Sequence, residues 1–223
     1  ERAVRSGVRR ISVFCAATET FSMANNRCSI EQNLQRIRSI CNEALAHRIK
    51  VRAYLSCTLG CPYEGKVDRD FVAGIALQLL DSGCYEVSLG DTIGVGTAGS
   101  VQRLLEKVGR HIPLEKTAVH FHDTCGQALA NVLSAIQLGV TVIDSSVAGL
   151  GGCPFAGNAS GNLASEDLVY LLDGLGIETG IDLEQLVETA WYIADILGRP
   201  PESRVSRAIG RGRFSEFSKS FGV

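Results

Sequence analysis

Apolar positions along this chain follow two alternating periods. Short runs with period two or continuous β-branched character read as strands: Arg10–Ala16 (RISVFCA), Val51–Cys57 (VRAYLSC), Tyr85–Leu89 (YEVSL), Thr117–Phe121 (TAVHF) and Val140–Val147 (VTVIDSSV). Helical spacing fills the gaps. Ile30, Leu34, Ile37 and Cys41 follow Ser29-Ile30-Glu31-Gln32, a capping-box sequence in which the Ser29 oxygen takes the Gln32 amide and Gln32 reaches back. Val72, Ile75 and Leu79 mark a second helix closed by Gly83 as a left-handed stop. Val101, Leu104, Leu105 and Val108 mark a third, and Leu129, Val132 and Ile136 a fourth that stops at Gly139. Two more are expected near Ala164–Leu172 and Asp182–Leu197, the latter capped by Asp182 with Leu183, Leu186, Val187, Ala190 and Ala194 as its buried stripe.

Strand and helix in strict alternation imply parallel strands joined by right-handed crossovers. An open doubly wound sheet and a (β/α)8 barrel both satisfy this. No G-x-G-x-x-G follows the first strand, which argues against a dinucleotide fold. Polar residues fall where strands end, at Glu19, Ser56, Asp91, His122 and Asp144, as in a barrel with its site at the strand C-termini. The fold class is therefore α/β: a partial (β/α)8 TIM barrel of five C-terminal βα units plus C-terminal helices. About three N-terminal units are expected to be absent. Unpaired edges are expected beside Arg10–Ala16 and Val140–Val147, with Val13, Leu55, Val87 and Val119, or their alternates, lining the inner face. Residues 1–199 form the incomplete barrel domain, and the basic, Ser-rich, weakly periodic stretch 200–223 reads as a C-terminal extension.

Composition narrows the classes. A hydrophobic fraction of 45% and a net charge of −2 describe an ordinary globular chain, and a pI near 6.1 gives no reason to expect nucleic acid as a partner. No apolar run is long enough to span a bilayer. The 8 cysteines form no paired C-x-x-C units, so they read as reduced thiols, most of them small buried hydrophobes. Glu1–Gly7 reads as the end of a helix with no signal or transit peptide, and the natural N-terminus is expected to lie upstream.

Three segments could carry chemistry. In His120-Phe121-His122 the two imidazoles share a strand face and can chelate one divalent cation; the plainer alternative is a hydrogen-bonded histidine pair. The loop Gly149 to Asn162 (GLGGCPFAGNASGN) allows close approach of substrate at Gly151 and Gly152 and presents Cys153 as a reactive thiol, unless it is a connector with an incidental cysteine. Asn162 offers a carbonyl oxygen to a hard cation or a cap to the next helix. In Ser88-Leu89-Gly90-Asp91-Thr92-Ile93-Gly94 the Asp91 carboxylate either faces the site or caps a turn; for Asp123 the capping role is favoured.

The stretches HFHDTCGQALAN, YEVSLGDTIGVGT, SCTLGCPYEGKV and GLGGCPFAGNASGNLASEDLVYLL together resemble the 3-hydroxy-3-methylglutaryl-CoA lyases, over nearly the whole chain to about Arg199. The resemblance implies a TIM-barrel metallolyase using Mg2+ or Mn2+ that cleaves 3-hydroxy-3-methylglutaryl-CoA to acetyl-CoA and acetoacetate, in leucine degradation and ketone-body formation. It makes His120, His122 and Asn162 metal ligands, Cys153 the loop thiol and Asp91 an acid/base group. Ser88, Gly151, Gly152 and Glu166 fall beside the substrate, the alternative for Glu166 being a first-turn carboxylate facing water. The family's Arg-Asp-Gly-x-Gln motif, which carries a further Asp ligand, is not in this sequence. The partners implied are an acyl-CoA substrate and a second copy at full length, with neither nucleic acid nor membrane. The compartment implied is the cytoplasm in a bacterium or the mitochondrial matrix in a eukaryote. Related condensing synthases and pyruvate-type aldolases share the H-x-H, but the Gly-Gly-Cys-Pro loop favours the lyase. A metal-binding scaffold without activity is the alternative from another class.

Overall fold

Alternating burial along the strands sets the architecture. In Lys50–Ser56 the residues Val51, Ala53 and Leu55 are buried while Arg52, Tyr54 and Ser56 are half-buried, so one face of the strand is apolar and the other polar. The structure, a computed structural model, describes residues 2–152 and 161–221, which fall into two compact units. One runs to Asp144; the other holds Ser145–Gly152 and residues 161–221.

In the first unit the elements are α1 (Arg2–Arg5), β1 (Arg10–Ala16), α2 (Glu19–Asn26), α3 (Ile30–Ala46), β2 (Lys50–Ser56), α4 (Arg69–Asp81), β3 (Cys84–Asp91), α5 (Ala98–Val108), β4 (Thr117–Phe121), α6 (Ala128–Gln137) and β5 (Val142–Asp144). The five strands form one parallel sheet in chain order, β1-β2-β3-β4-β5, as expected of consecutive barrel units. Among the described residues β1 and β5 each pair on one side only. The register places Tyr54 beside Ser88, Gly90 beside His120 and His120 beside Asp144. Val13, Leu55, Val87 and Val119 are buried, but on the face opposite Arg52, Ser88, His120 and Asp144, which touch one another. The inner face is thus built from the alternates.

The capping box at Ser29 is present, with the Ser29 hydroxyl accepting from Gln32 N and the Gln32 side chain accepting from Ser29 N. Three departures from expectation have local causes. The last strand is only three residues, because Ser146 leaves the sheet to pair with Ala164 before the chain turns into a 3-10 helix at Val147–Gly149, where Ala148 takes a φ of 57°. Cys57 leaves β2 at a φ of 62°. Glu19 does not end a strand but starts α2, where its carboxylate accepts from Ile30 N at 3.1 Å.

The second unit comprises α7 (Ser165–Gly174), α8 (Leu183–Leu197), α9 (Arg204–Ile209) and α10 (Phe214–Phe221). Asp182 caps α8, but only Val187, Ala190 and Ala194 of the expected stripe are buried; Leu183 and Leu186 remain half-exposed. Residues 200–221, expected as an extension, belong to this unit. The Asp167 carboxylate on α7 accepts from Ser203 Oγ at 2.7 Å, Arg204 N at 3.1 Å and Val205 N at 2.8 Å, and so caps α9 from a distance. Trp191 Nε1 donates to Ser206 O. By its internal contacts the described chain divides at Asp144–Ser145.

Candidate active site

The end of β4 and the inner face of the sheet hold a cluster of polar side chains. A strand repeat of two residues sends His120 and His122 the same way, and their ring centroids lie 5.5 Å apart. His122 is buried and His120 is 30% exposed at its side chain. Asp144 on β5 stands beside His120, with Oδ2 3.7 Å from Nδ1. That carboxylate is held from two sides: Arg52 Nη1 donates to Oδ1 at 2.9 Å and Oδ2 at 3.1 Å, and Ser88 Oγ donates to Oδ2 at 2.7 Å. Arg52 also donates to Glu86 and to the Tyr54 hydroxyl, and the Tyr54 ring meets His120 edge-on at 6.0 Å. Burial pushes the Asp144 carboxyl up, but its neighbours His120, Arg52 and Ser88 outweigh this and hold it below the ordinary carboxylate range. One guanidinium faces two carboxylates here, so the formal balance beside the histidines is negative and favours a cation.

The structure treats the expected residues unequally. Ser88 is completely buried and its hydroxyl donates to Asp144, so it braces the cluster. Asp91, expected as an acid/base group, caps the turn that follows β3. It is 0% exposed, and its carboxylate turns back to accept from Val95 N at 3.2 Å and Gly96 N at 2.8 Å. Burial raises its pKa against the pull of those amides. A Cβ on Gly96 would sit 2.8 Å from Asp91 Oδ2, so the capped turn requires glycine there. Asp123 caps α6 by accepting from Ala128 N.

Asn162, Gly151, Gly152 and Glu166 lie in the second unit. Asn162 Nδ2 donates to Leu150 O at 2.9 Å, while its Oδ1 is buried with no hydrogen-bond partner. Gly151 adopts a φ of 93°, and a Cβ there would lie 2.8 Å from Asn162 Nδ2. Gly152, like Gly151, is exposed. Glu166 does not face water: it is 0% exposed, and its Oε1 accepts from Ala148 N at 2.8 Å, fixing the strained residue at the start of the loop. Burial raises the Glu166 pKa. Cys153 lies outside the described residues.

In the first unit two neighbouring imidazoles fit a divalent cation; in the second, Asn162 Oδ1 is a buried oxygen with no hydrogen-bond partner among the described residues. Among the described residues no group of three or more His, Cys, Asp or Glu side chains surrounds one point. Arg52, Glu86 and Tyr54 were absent from the expected site, and Asp144 was placed only as a polar residue at a strand end. The signal for them was polar residues alternating with buried Val51, Ala53 and Leu55, on a strand whose other face is also covered.

The HMGL-like family model matches residues 1–193. The chain belongs to the HMGL-like family. Across 211 residues it is 52% identical to the mitochondrial hydroxymethylglutaryl-CoA lyase of Gallus gallus, covering 95% of this chain and 71% of that protein. It is 53% identical over 209 residues to the 3-hydroxy-3-isohexenylglutaryl-CoA/hydroxy-methylglutaryl-CoA lyase of Pseudomonas aeruginosa, covering 94% of this chain and 70% of that one. The crystal structure of hydroxymethylglutaryl-CoA lyase from Pseudomonas aeruginosa superposes with a TM-score of 0.90 at 52% identity, over 93% of this chain and 69% of the other. This HMGL-like chain therefore spans about 70% of the length of those relatives.

Proposed function

We propose that this HMGL-like chain carries the metal-binding half and the thiol loop of a lyase that cleaves 3-hydroxy-3-methylglutaryl-CoA to acetyl-CoA and acetoacetate. The observation that carries the reading is the meeting of His120 and His122 at the end of β4, on the inner face that Asp144 and Arg52 make polar. Relatives named for this substrate at 52–53% identity support it. His120, His122 and Asn162 would hold Mg2+ or Mn2+, and the cation when bound supplies Lewis-acid polarisation of substrate oxygens.

The chain's own residues then perform distinct tasks. Glu166 and Asn162 pin the two stems of the Gly-rich loop, through Ala148 N and Leu150 O. That loop carries Cys153, whose thiol donates a proton to the acetyl-CoA carbanion left when the carbon–carbon bond breaks, while the proton of the tertiary hydroxyl passes to a general base, the role proposed for Asp91. Asp91 holds the turn after β3 in place. Gly151 and Gly152 leave room for the acyl group. The partner molecule is an acyl-CoA, and a second copy of the chain completes a homodimer. The Gallus gallus relative is named mitochondrial; the compartment proposed for this chain is the mitochondrial matrix if its source is eukaryotic and the cytoplasm if it is bacterial.

The test uses the chain joined to the part of the Pseudomonas aeruginosa enzyme that it does not span. Cys153→Ala should lower acetoacetate release by about 10²–10⁴-fold while Mn2+ affinity is unchanged. A Cys153→Ala protein with the parent rate would remove the thiol from the mechanism.

A further inference from the structure

His120 could offer a cation either ring nitrogen, and which one it offers depends on what faces the other. Nδ1 is buried and has no hydrogen-bond partner among the described residues. The nearest acceptor is Asp144 Oδ2 at 3.7 Å. A carboxylate at that distance favours a proton on the nitrogen facing it, which leaves the lone pair on the far nitrogen. Asp144 is itself unable to swing away, because Arg52 grips both its oxygens and Ser88 holds Oδ2. Arg52 in turn is anchored by Glu86, and it touches Tyr54, whose ring edge packs on His120. Three strands, β2, β3 and β5, therefore contribute side chains to fixing a single imidazole on β4.

We propose that Asp144, clamped by Arg52 and Ser88, is a positioning residue that keeps His120 protonated on Nδ1 and so presents Nε2 to the divalent cation. The inference rests on the metal reading of His120, and it adds a role for a carboxylate that touches neither substrate nor metal. Metal-binding histidines commonly donate their second ring N–H to a carboxylate, and loss of that partner typically weakens metal binding 10–100-fold.

Two measurements on the full chain test it. First, long-range 1H–15N spectra of the metal-free protein, at a pH alkaline enough for neutral imidazole, report the tautomer of each histidine, with His120 assigned by its absence in His120→Gln. A proton on Nδ1 is expected for His120; a proton on Nε2 would overturn the proposal. This readout needs no variant of Asp144 and is insensitive to a merely structural role. Second, Mn2+ titrations followed by the signal of the free ion compare the parent, Asp144→Asn, Asp144→Glu and His120→Ala. Asp144→Asn, if its circular dichroism matches the parent, should bind Mn2+ about 10–100-fold more weakly, with partial recovery in Asp144→Glu. Unchanged affinity in a folded Asp144→Asn, alongside a loss in His120→Ala, would sink the proposal and leave the metal site standing. Unchanged affinity in His120→Ala would instead remove the metal reading on which the proposal rests.

Discussion

At the scale of single residues, burial decides which polar groups can react. Cys125 is exposed, whereas Cys15, Cys28, Cys41, Cys57, Cys61 and Cys84 are buried. Burial pushes the Cys15 thiol up to about 11, so almost none of it is thiolate near neutral pH. Mass spectrometry after brief treatment with iodoacetamide should therefore find Cys125 modified and those six largely spared; early labelling of Cys15 would contradict the packing. Glu166 makes a second prediction. A buried carboxyl with a raised folded-state pKa contributes stability that is present at low pH and lost as pH rises through that pKa. Glu166→Gln keeps an acceptor for Ala148 N without the charge. Its urea midpoint, compared with the parent's, should improve steadily as pH increases from acid to neutral, and a constant difference would show that Glu166 is not strained by burial. The sequence made His120 and His122 legible because strand geometry turns an i, i+2 spacing into proximity. It left the capping contacts of Asp91 open, since a carboxylate at a strand end looks the same whether it caps a turn or serves a substrate. Arg52 was missed because a lone charge in a strand reads as a solvated face, and its partners Asp144 and Glu86 are far away in the chain.

Secondary elements were legible where local chemistry fixes them. β1 and β4 have the expected bounds, and the capping box of α3 forms as written in Ser29 and Gln32. Replacing Ser29 by Ala removes the acceptor for Gln32 N and should cost about 1 kcal/mol, read as a shift in the denaturant midpoint with unchanged slope. What local pattern cannot show is a cap that arrives from another element. The stretch 200–221 looked like a tail because α9 has weak periodicity, yet Asp167, on α7, gathers Ser203, Arg204 and Val205 into its first turn. Asp167→Ala leaves a buried hydroxyl and two amides unbonded, a loss of about 1–3 kcal/mol for each such group at most. Limited proteolysis should then open the chain near residue 200 faster than in the parent. An unaltered digestion pattern would mean that α9 is held by other contacts. β5 came out shorter than its apolar run: beyond Asp144 the extended backbone at Ser146 pairs with Ala164 instead of β4, before the 3-10 turn at Val147–Gly149.

At the scale of the molecule, repeated βα units announced a parallel sheet, and the sheet runs in strict chain order. Its inner face is polar at Arg52, Ser88, His120 and Asp144, which are bonded or ion-paired to one another across the sheet. The unpaired sides of β1 and β5 among the described residues, with Phe14 53% exposed, predict self-association of the isolated chain. Light scattering should show mass rising with concentration. The central claim is that this chain holds the metal half of a carbon–carbon lyase. Acetoacetate release from 3-hydroxy-3-methylglutaryl-CoA by the chain joined to the unmatched part of the Pseudomonas aeruginosa enzyme tests it most directly. Release that requires Mg2+ or Mn2+, stops on chelation and is lost in His122→Ala is the predicted result. A joined protein that unfolds cooperatively yet releases no acetoacetate, or one whose release is indifferent to both chelation and His122→Ala, would contradict it.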